Sequence, residues 1–166
     1  MKKDKTLLPY LQFPTLTHFC YARFSEIFNH VYVSAKDAKF SPNLPLLKDD
    51  FDSFSPMGAL ASILSNPNFK DQYIFINPAD MPFTSENTIR NLYANLENTK
   101  ICVAKNRAFT HNLCGFYHSS IAPLARKFYE LDIHKISELF KKVEFKSIEF
   151  DEEFYNINYP KDYDNL

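Results

Sequence analysis

An α/β fold with three layers, helices on both faces of a mostly parallel sheet, is what this sequence predicts. Two apolar runs, Tyr73-Ile74-Phe75-Ile76 and Ile101-Cys102-Val103-Ala104, have the length and continuity of strands covered on both sides. Helically spaced segments of about a dozen residues alternate with such strands. That alternation builds a parallel sheet between two helical layers. The 166 residues are read as one domain, 1–166. A chain of that size can bury roughly 70% of its unfolded surface.

The elements follow in order. Leu16, Phe19, Cys20, Phe24, Ile27 and Phe28 share a helical face over residues 15 to 29, with Thr15 or Thr17 as the cap. His30-Val31-Tyr32-Val33-Ser34 reads as a short strand. Prolines and the acids Asp49, Asp50 and Asp52 make residues 41 to 56 a loop. Met57 to Leu64 is a buried helix with Pro56 near its first turn. The strand at Tyr73 comes next, then a helix from Ser85 to Leu96 with Ile89, Leu92 and Tyr93 on one face. After the strand at Ile101, Leu113 to Tyr117 is a further strand, weakened by Gly115. Ser119 or Ser120 caps a helix to about Glu130, Ile133 to Lys142 forms another, and Val143 to Phe150 is an edge strand.

Composition excludes several classes. With 19 basic and 20 acidic residues the formal charge is −1, which argues against a nucleic-acid-backbone binder. Cys20, Cys102 and Cys114 are widely spaced, so neither a zinc site nor a disulfide framework is supported. Each sits among apolar neighbours as a small buried hydrophobe, which suits a reducing cytoplasm. No apolar run of about 20 residues is present to cross a membrane. The two glycines, Gly58 and Gly115, do not make a glycine-rich phosphate loop.

Asp80 is the sharpest chemical signal. It follows a buried strand and precedes Met81-Pro82. Ligands of open α/β sheets bind beyond the carboxyl ends of strands. A carboxylate there can hold Mg²⁺ together with phosphate oxygens. The plain alternative is a turn Asp bonded to its own backbone. Asn156 and Asn158 project the same way from an extended segment and can grip polar ligand groups, although Asn before Pro160 is also ordinary turn chemistry. Lys5 is a compact positive charge suited to phosphate, or simply a solvated lysine. An Asp in the cluster at Asp49 can accept from a guanine N1–H and amino group.

Taken together the segments resemble the molybdenum cofactor guanylyltransferases, a MobA-like nucleotidyltransferase family. Asp4-Lys5-Thr6-Leu7-Leu8 resembles the family's D-K-x-L-L, and Leu46-Leu47-Lys48-Asp49 its guanine-contacting segment, with Asp50 as the alternative register. Ser55-Pro56-Met57-Gly58-Ala59 resembles G-P-L-x-G, Asn77 to Pro82 the metal-binding P-x-D-x-P, and Asn156 to Pro160 the N-x-N-T-P element. The resemblance implies a Rossmann-like nucleotidyltransferase sheet and transfer of GMP from GTP to molybdopterin. On it, Asp80 and Lys5 are catalytic, Asp80 holds Mg²⁺, Lys5 neutralises phosphate, and Asp49 or Asp50 selects guanine. Asn156 and Asn158 then position the pterin. The substrates are GTP and molybdopterin, in a cytoplasmic monomer or weak oligomer. Other molybdenum-cofactor synthesis proteins are the expected partners.

The family's glycine loop and first strand would lie immediately before Lys5. The chain is therefore read as N-terminally truncated, with impaired transfer and a strand-sized gap between Val31–Ser34 and Tyr73–Asn77. Lys36 also stands where the family often has a nucleotide-contacting Asn, and Tyr159 replaces a Thr. The alternatives are a sugar-phosphate nucleotidyltransferase or cytidylyltransferase, or a non-catalytic partner protein of the same fold.

Overall fold

The computed structural model describes residues 4–51, 53–151 and 154. Helix α1, Leu16–Ser25, starts where Thr15 turns extended and its hydroxyl accepts from the His18 N–H at 3.2 Å. Of the two caps considered, Thr15 is the one used, which supplies a partner for one orphan amide of the first turn. Strand β1, Val33–Ala35, pairs in parallel with β2, Leu46–Lys48. Helix α2, Pro56–Leu64, is capped by Ser55, and α3, Glu86–Ala94, by Ser85. Between them runs β3, Tyr73–Ile76. Strands β4, Ile101–Lys105, and β5, Thr110–His118, precede α4, Ala122–Glu130, and β6 is Phe145–Glu149.

The main sheet has the order β3-β5-β4-β6. Strand β5 is antiparallel to both its neighbours and β6 is parallel to β4, so β3, β4 and β6 run one way and β5 runs against them. Layering follows from alternation along β4. Ile101 and Val103 pack with Met57 and Leu60 of α2 and Ala125 and Phe128 of α4. Cys102 and Ala104 pack with Cys20 and Phe24 of α1 and Ile89 and Leu92 of α3. Successive side chains point to opposite faces, so one strand with four wholly buried residues serves two cores. The expected three-layer α/β/α arrangement is present.

Four local expectations change. Neither Ser119 nor Ser120 caps α4: both lie in a 3-10 turn, Ser119–Ile121, and Ile121 precedes the helix without a side-chain cap. The loop at 41 to 56 contains β2, whose three residues are too few to show alternation beside Pro42 and Pro45. Residues Ile136–Lys141 form a 3-10 helix rather than an α-helix, burying Ile136 and Leu139 at a spacing of three. Gly115 does not weaken β5, which is the longest strand described. Instead it allows close approach to β4, because a β-carbon there would lie 2.3 Å from the Cys102 carbonyl oxygen.

The three cysteines are free and buried, and burial pushes the Cys20 and Cys114 thiols up to about 12. They pack as inert hydrophobes. Among the described residues no helix is long and apolar enough to cross a membrane.

Two histidines carry a pH dependence. Burial pushes the pKa of His111 down, and its Nε2 is buried without a partner among the described residues. Burial, with Lys100 nearby, also lowers His118, whose Nδ1 pairs with the Ser120 hydroxyl at 2.7 Å; Asp71 opposes the shift. The unfolded chain, with ordinary histidines near 6.5, takes up these protons first as pH falls. Stability is therefore fully present above about pH 6.5 and declines below it. Thermal unfolding at pH 7.5 and 5.5 should give the lower midpoint at 5.5; equal midpoints would contradict this.

Candidate functional site

A cleft of about 920 Å³ separates the two sheets. Val33 and Ser34 of β1 and Leu47 of β2 form one wall, Tyr73 to Asn77 the other, and α1 and α2 close it with Phe24 and Leu60. Among the described residues no strand bridges the gap. Among the described residues β3 is paired along its β5 side, and its other edge faces the cleft.

Asp80 lies in the loop that follows β3, Tyr73–Ile76, next to the cleft-lining Ala79. Its loop is heavily cross-braced. Asn77 Nδ2 donates to the Pro78 and Met81 carbonyls, each at 2.9 Å, and Thr84 Oγ1 donates to Asn77 Oδ1 at 2.7 Å. Arg23, reaching across from α1, donates to the Pro82 carbonyl at 2.5 Å and the Thr84 carbonyl at 2.7 Å. Met81, Pro82 and Thr84 are buried. Asp80 itself is half-buried, and its carboxylate makes no hydrogen bond or ion pair among the described residues. The bracing fixes the backbone and leaves that carboxylate available.

Sequence reasoning missed Arg23 and Thr84, because each acts on a partner distant in sequence or on a backbone oxygen. The one trace of Arg23 is a lone basic residue in the last turn of α1. Removing it leaves two carbonyls without their charged donor. Arg23→Ala should cost about 2 kcal/mol, or roughly 4–8 °C in melting temperature for a chain of this size. A melting temperature within about 1 °C of wild type, well under that range, would show that the brace does not hold in solution.

The opposite rim follows the carboxyl ends of β1 and β2, which point the same way because they are parallel. Asp49 Oδ1 accepts from the Phe51 N–H at 3.1 Å and from the Ser62 hydroxyl at 3.2 Å. Ser62 Oγ in turn accepts from the Asp50 N–H at 3.1 Å. Asp49 therefore stitches its loop to α2, whereas the Asp50 side chain is exposed with no partner among the described residues. Lys36, just past β1, donates to the Phe51 carbonyl at 2.7 Å, and its Nζ lies 4.5 Å from the Phe54 ring centroid.

Lys5 opens a single 3-10 turn, Lys5–Leu7. The carbonyl of its neighbour Thr6 accepts from Thr17, a cleft residue, at 2.9 Å. The Lys5 side chain lies outside the described set, as do Asn156 and Asn158.

Residues 1–145 match the family model described as the MobA-like NTP transferase domain. The chain belongs to that family. A relative from Campylobacter jejuni subsp. jejuni, a molybdenum cofactor guanylyltransferase, is 43% identical over 171 residues, spanning all of this chain and 88% of the relative. Among solved structures, molybdopterin-guanine dinucleotide biosynthesis protein A from Archaeoglobus fulgidus superposes with a TM-score of 0.78 at 19% identity, covering 98% of this chain and 88% of that one. A protein from Mycobacterium tuberculosis, solved as a complex with manganese, gives 0.64 at 15% identity, covering 98% and 90%. At those identities the two structures speak to the α/β fold alone.

Among the described residues no three His, Cys, Asp or Glu side chains cluster as a preformed metal cage. A lone open carboxylate suits a hard divalent ion that arrives with phosphate oxygens and keeps much of its water shell. Asp80, half-buried at the cleft mouth, fits that role.

Proposed function

We propose that this MobA-like nucleotidyltransferase transfers GMP from GTP to molybdopterin. The observation that carries the proposal is the braced loop at the cleft mouth, which presents Asp80 uncommitted. A phosphate oxygen of molybdopterin attacks the α-phosphorus of GTP, the bond to the β-phosphate oxygen breaks, and pyrophosphate leaves. Asp80 would hold Mg²⁺, which would stabilise negative charge on the phosphates. The protein's own share is positioning: the loop fixed by Arg23, Asn77 and Thr84 sets where the Asp80 carboxylate stands. Lys5 neutralises phosphate charge, and Asn156 and Asn158 hold the pterin side.

Of the two candidate base readers, we assign Asp50 to guanine. Asp49 already uses one oxygen in building its loop, whereas Asp50 offers an exposed carboxylate to the guanine N1–H and amino group. Three unpaired thiols are in keeping with a cytoplasmic setting.

Competition for bound labelled GTP in the presence of Mg²⁺ tests the assignment. GTP should displace the label at least tenfold more effectively than ATP, CTP or UTP. In Asp50→Asn that preference should fall while melting temperature holds. Preference for CTP or UTP would instead make the chain a cytidylyl- or sugar-phosphate-type transferase. No nucleotide binding would leave a non-catalytic protein of the same fold.

A further inference from the structure

The loop that follows Asp49 holds out an aromatic ring with no role in either core. Phe54 is 92% exposed, whereas Phe51, three residues earlier, packs against Tyr129 at 4.2 Å between ring centroids. The residues on either side of Phe54 are fixed. Ser53 Oγ bonds the Tyr129 hydroxyl at 2.8 Å, and Ser55 Oγ bonds His134 Nδ1 at 2.8 Å while capping α2 at the Gly58 N–H. The ring is thus carried by a pinned backbone and not by a free tip.

A single exposed Phe is ordinary on a protein surface. This one is distinguished by three further facts. Lys36 places its ammonium 4.5 Å from the ring centroid, and that ammonium is itself held by the Phe51 carbonyl at 2.7 Å. Lys36 follows β1 and Phe54 precedes Pro56, so both stand beside cleft-lining residues, Ser34 and Pro56. The loop also leaves the carboxyl end of one of two parallel strands, where open α/β sheets place ligands.

We propose that Phe54 is the stacking platform for the purine base of the nucleotide substrate, with Lys36 backing the ring. The proposal rests on the nucleotidyl-transfer reading and adds how the base is held. Every base presents a π face to an aromatic ring, and a purine overlaps a phenyl ring over a larger area than a pyrimidine does. A lysine on one face leaves the other for the base, and the cation–π contact steadies a ring that would otherwise sample several rotamers. Stacking supplies affinity for purines in general, and an edge contact such as that of Asp50 supplies the choice of guanine.

The chain has no tryptophan, so Phe54→Trp creates a single indole reporter. GMP should quench its emission by more than half at saturation, and CMP should do so far less. Labelled GTP, followed by equilibrium dialysis, should bind Phe54→Trp about as tightly as wild type. Phe54→Ala should bind about tenfold to a hundredfold more weakly. Its melting temperature should be unchanged, since the ring is buried in neither core. GTP bound equally by wild type and Phe54→Ala, or bound without altering the indole emission of the reporter variant, would overturn the platform and leave the transferase reading standing. Failure of the wild-type chain to bind any nucleotide would overturn both.

Discussion

Asp80→Asn should lower Mg²⁺-dependent GMP transfer by about 100-fold or more, with little change in melting temperature. The two halves of that expectation come from one observation: the Asp80 carboxylate makes no hydrogen bond or ion pair among the described residues. The loop is held instead by Arg23, Asn77 and Thr84, none of which touches the carboxylate. Asn keeps the volume and removes the charge, so a half-buried open site should tolerate it structurally. Electrostatic stabilisation of phosphate charge by a bound metal is worth several kcal/mol, and each ~1.36 kcal/mol is tenfold in rate. Affinity for Mn²⁺ in the presence of GTP, read by electron paramagnetic resonance, should fall in parallel. An Asp80→Asn chain with wild-type transfer would remove Asp80 from the site. A large drop in melting temperature would instead give the residue a structural part.

Gly115→Ala should damage the fold far more than Gly58→Ala, whose added carbon would meet only side chains, with Tyr129 nearest at 3.1 Å. Gly115 sits in β5, paired with Ile76 of β3 on one side and Val103 of β4 on the other. The added carbon would lie 2.3 Å from the Cys102 carbonyl oxygen and 2.6 Å from the Val103 α-carbon. Both are backbone atoms, and β4 is held on its far side by β6 over five paired residues. Neither strand can yield without breaking register. Overpacking into a close-packed core costs about 1–3 kcal/mol and sometimes more. With rigid backbone as the obstacle, about 3 kcal/mol is the lower expectation, or roughly 6–12 °C in melting temperature. A shift below about 2 °C, far under that range, would mean that β4 and β5 stand farther apart at this position.

Much of the fold was legible because its elements carry strong local signals. The runs at Tyr73 and Ile101 read as covered strands; the second is buried as expected, the first is half-buried because it lines the cleft, and Thr15, Ser55 and Ser85 each stand where a helix needs an acceptor. Strand β2 was not legible, since its three residues become a strand only by pairing with β1, and prolines nearby read as loop. Gly115 was misjudged for a similar reason. Propensity marks a glycine as weak in a strand, but the reason for its presence is the backbone of the neighbouring strand at Cys102 and Val103. The candidate site divides the same way. Asp80 was placed by its position after a strand, whereas the Arg23 brace spans about sixty residues and leaves little local trace. The choice between Asp49 and Asp50 was open in the sequence. The proposed assignment to Asp50 rests on Ser62, which ties Asp49 to α2.

The measurement that bears most directly on the proposed function is GMP transfer with enzyme in excess over molybdopterin, using GTP labelled in the α-phosphate. Excess enzyme lets even slow turnover accumulate product. The expected result is a labelled pterin dinucleotide with one pyrophosphate released per label incorporated. Label should come from GTP and not CTP, and be lost in Asp80→Asn. Equal incorporation from CTP, or incorporation indifferent to Asp80, would contradict the proposed reaction, as would no incorporation at all.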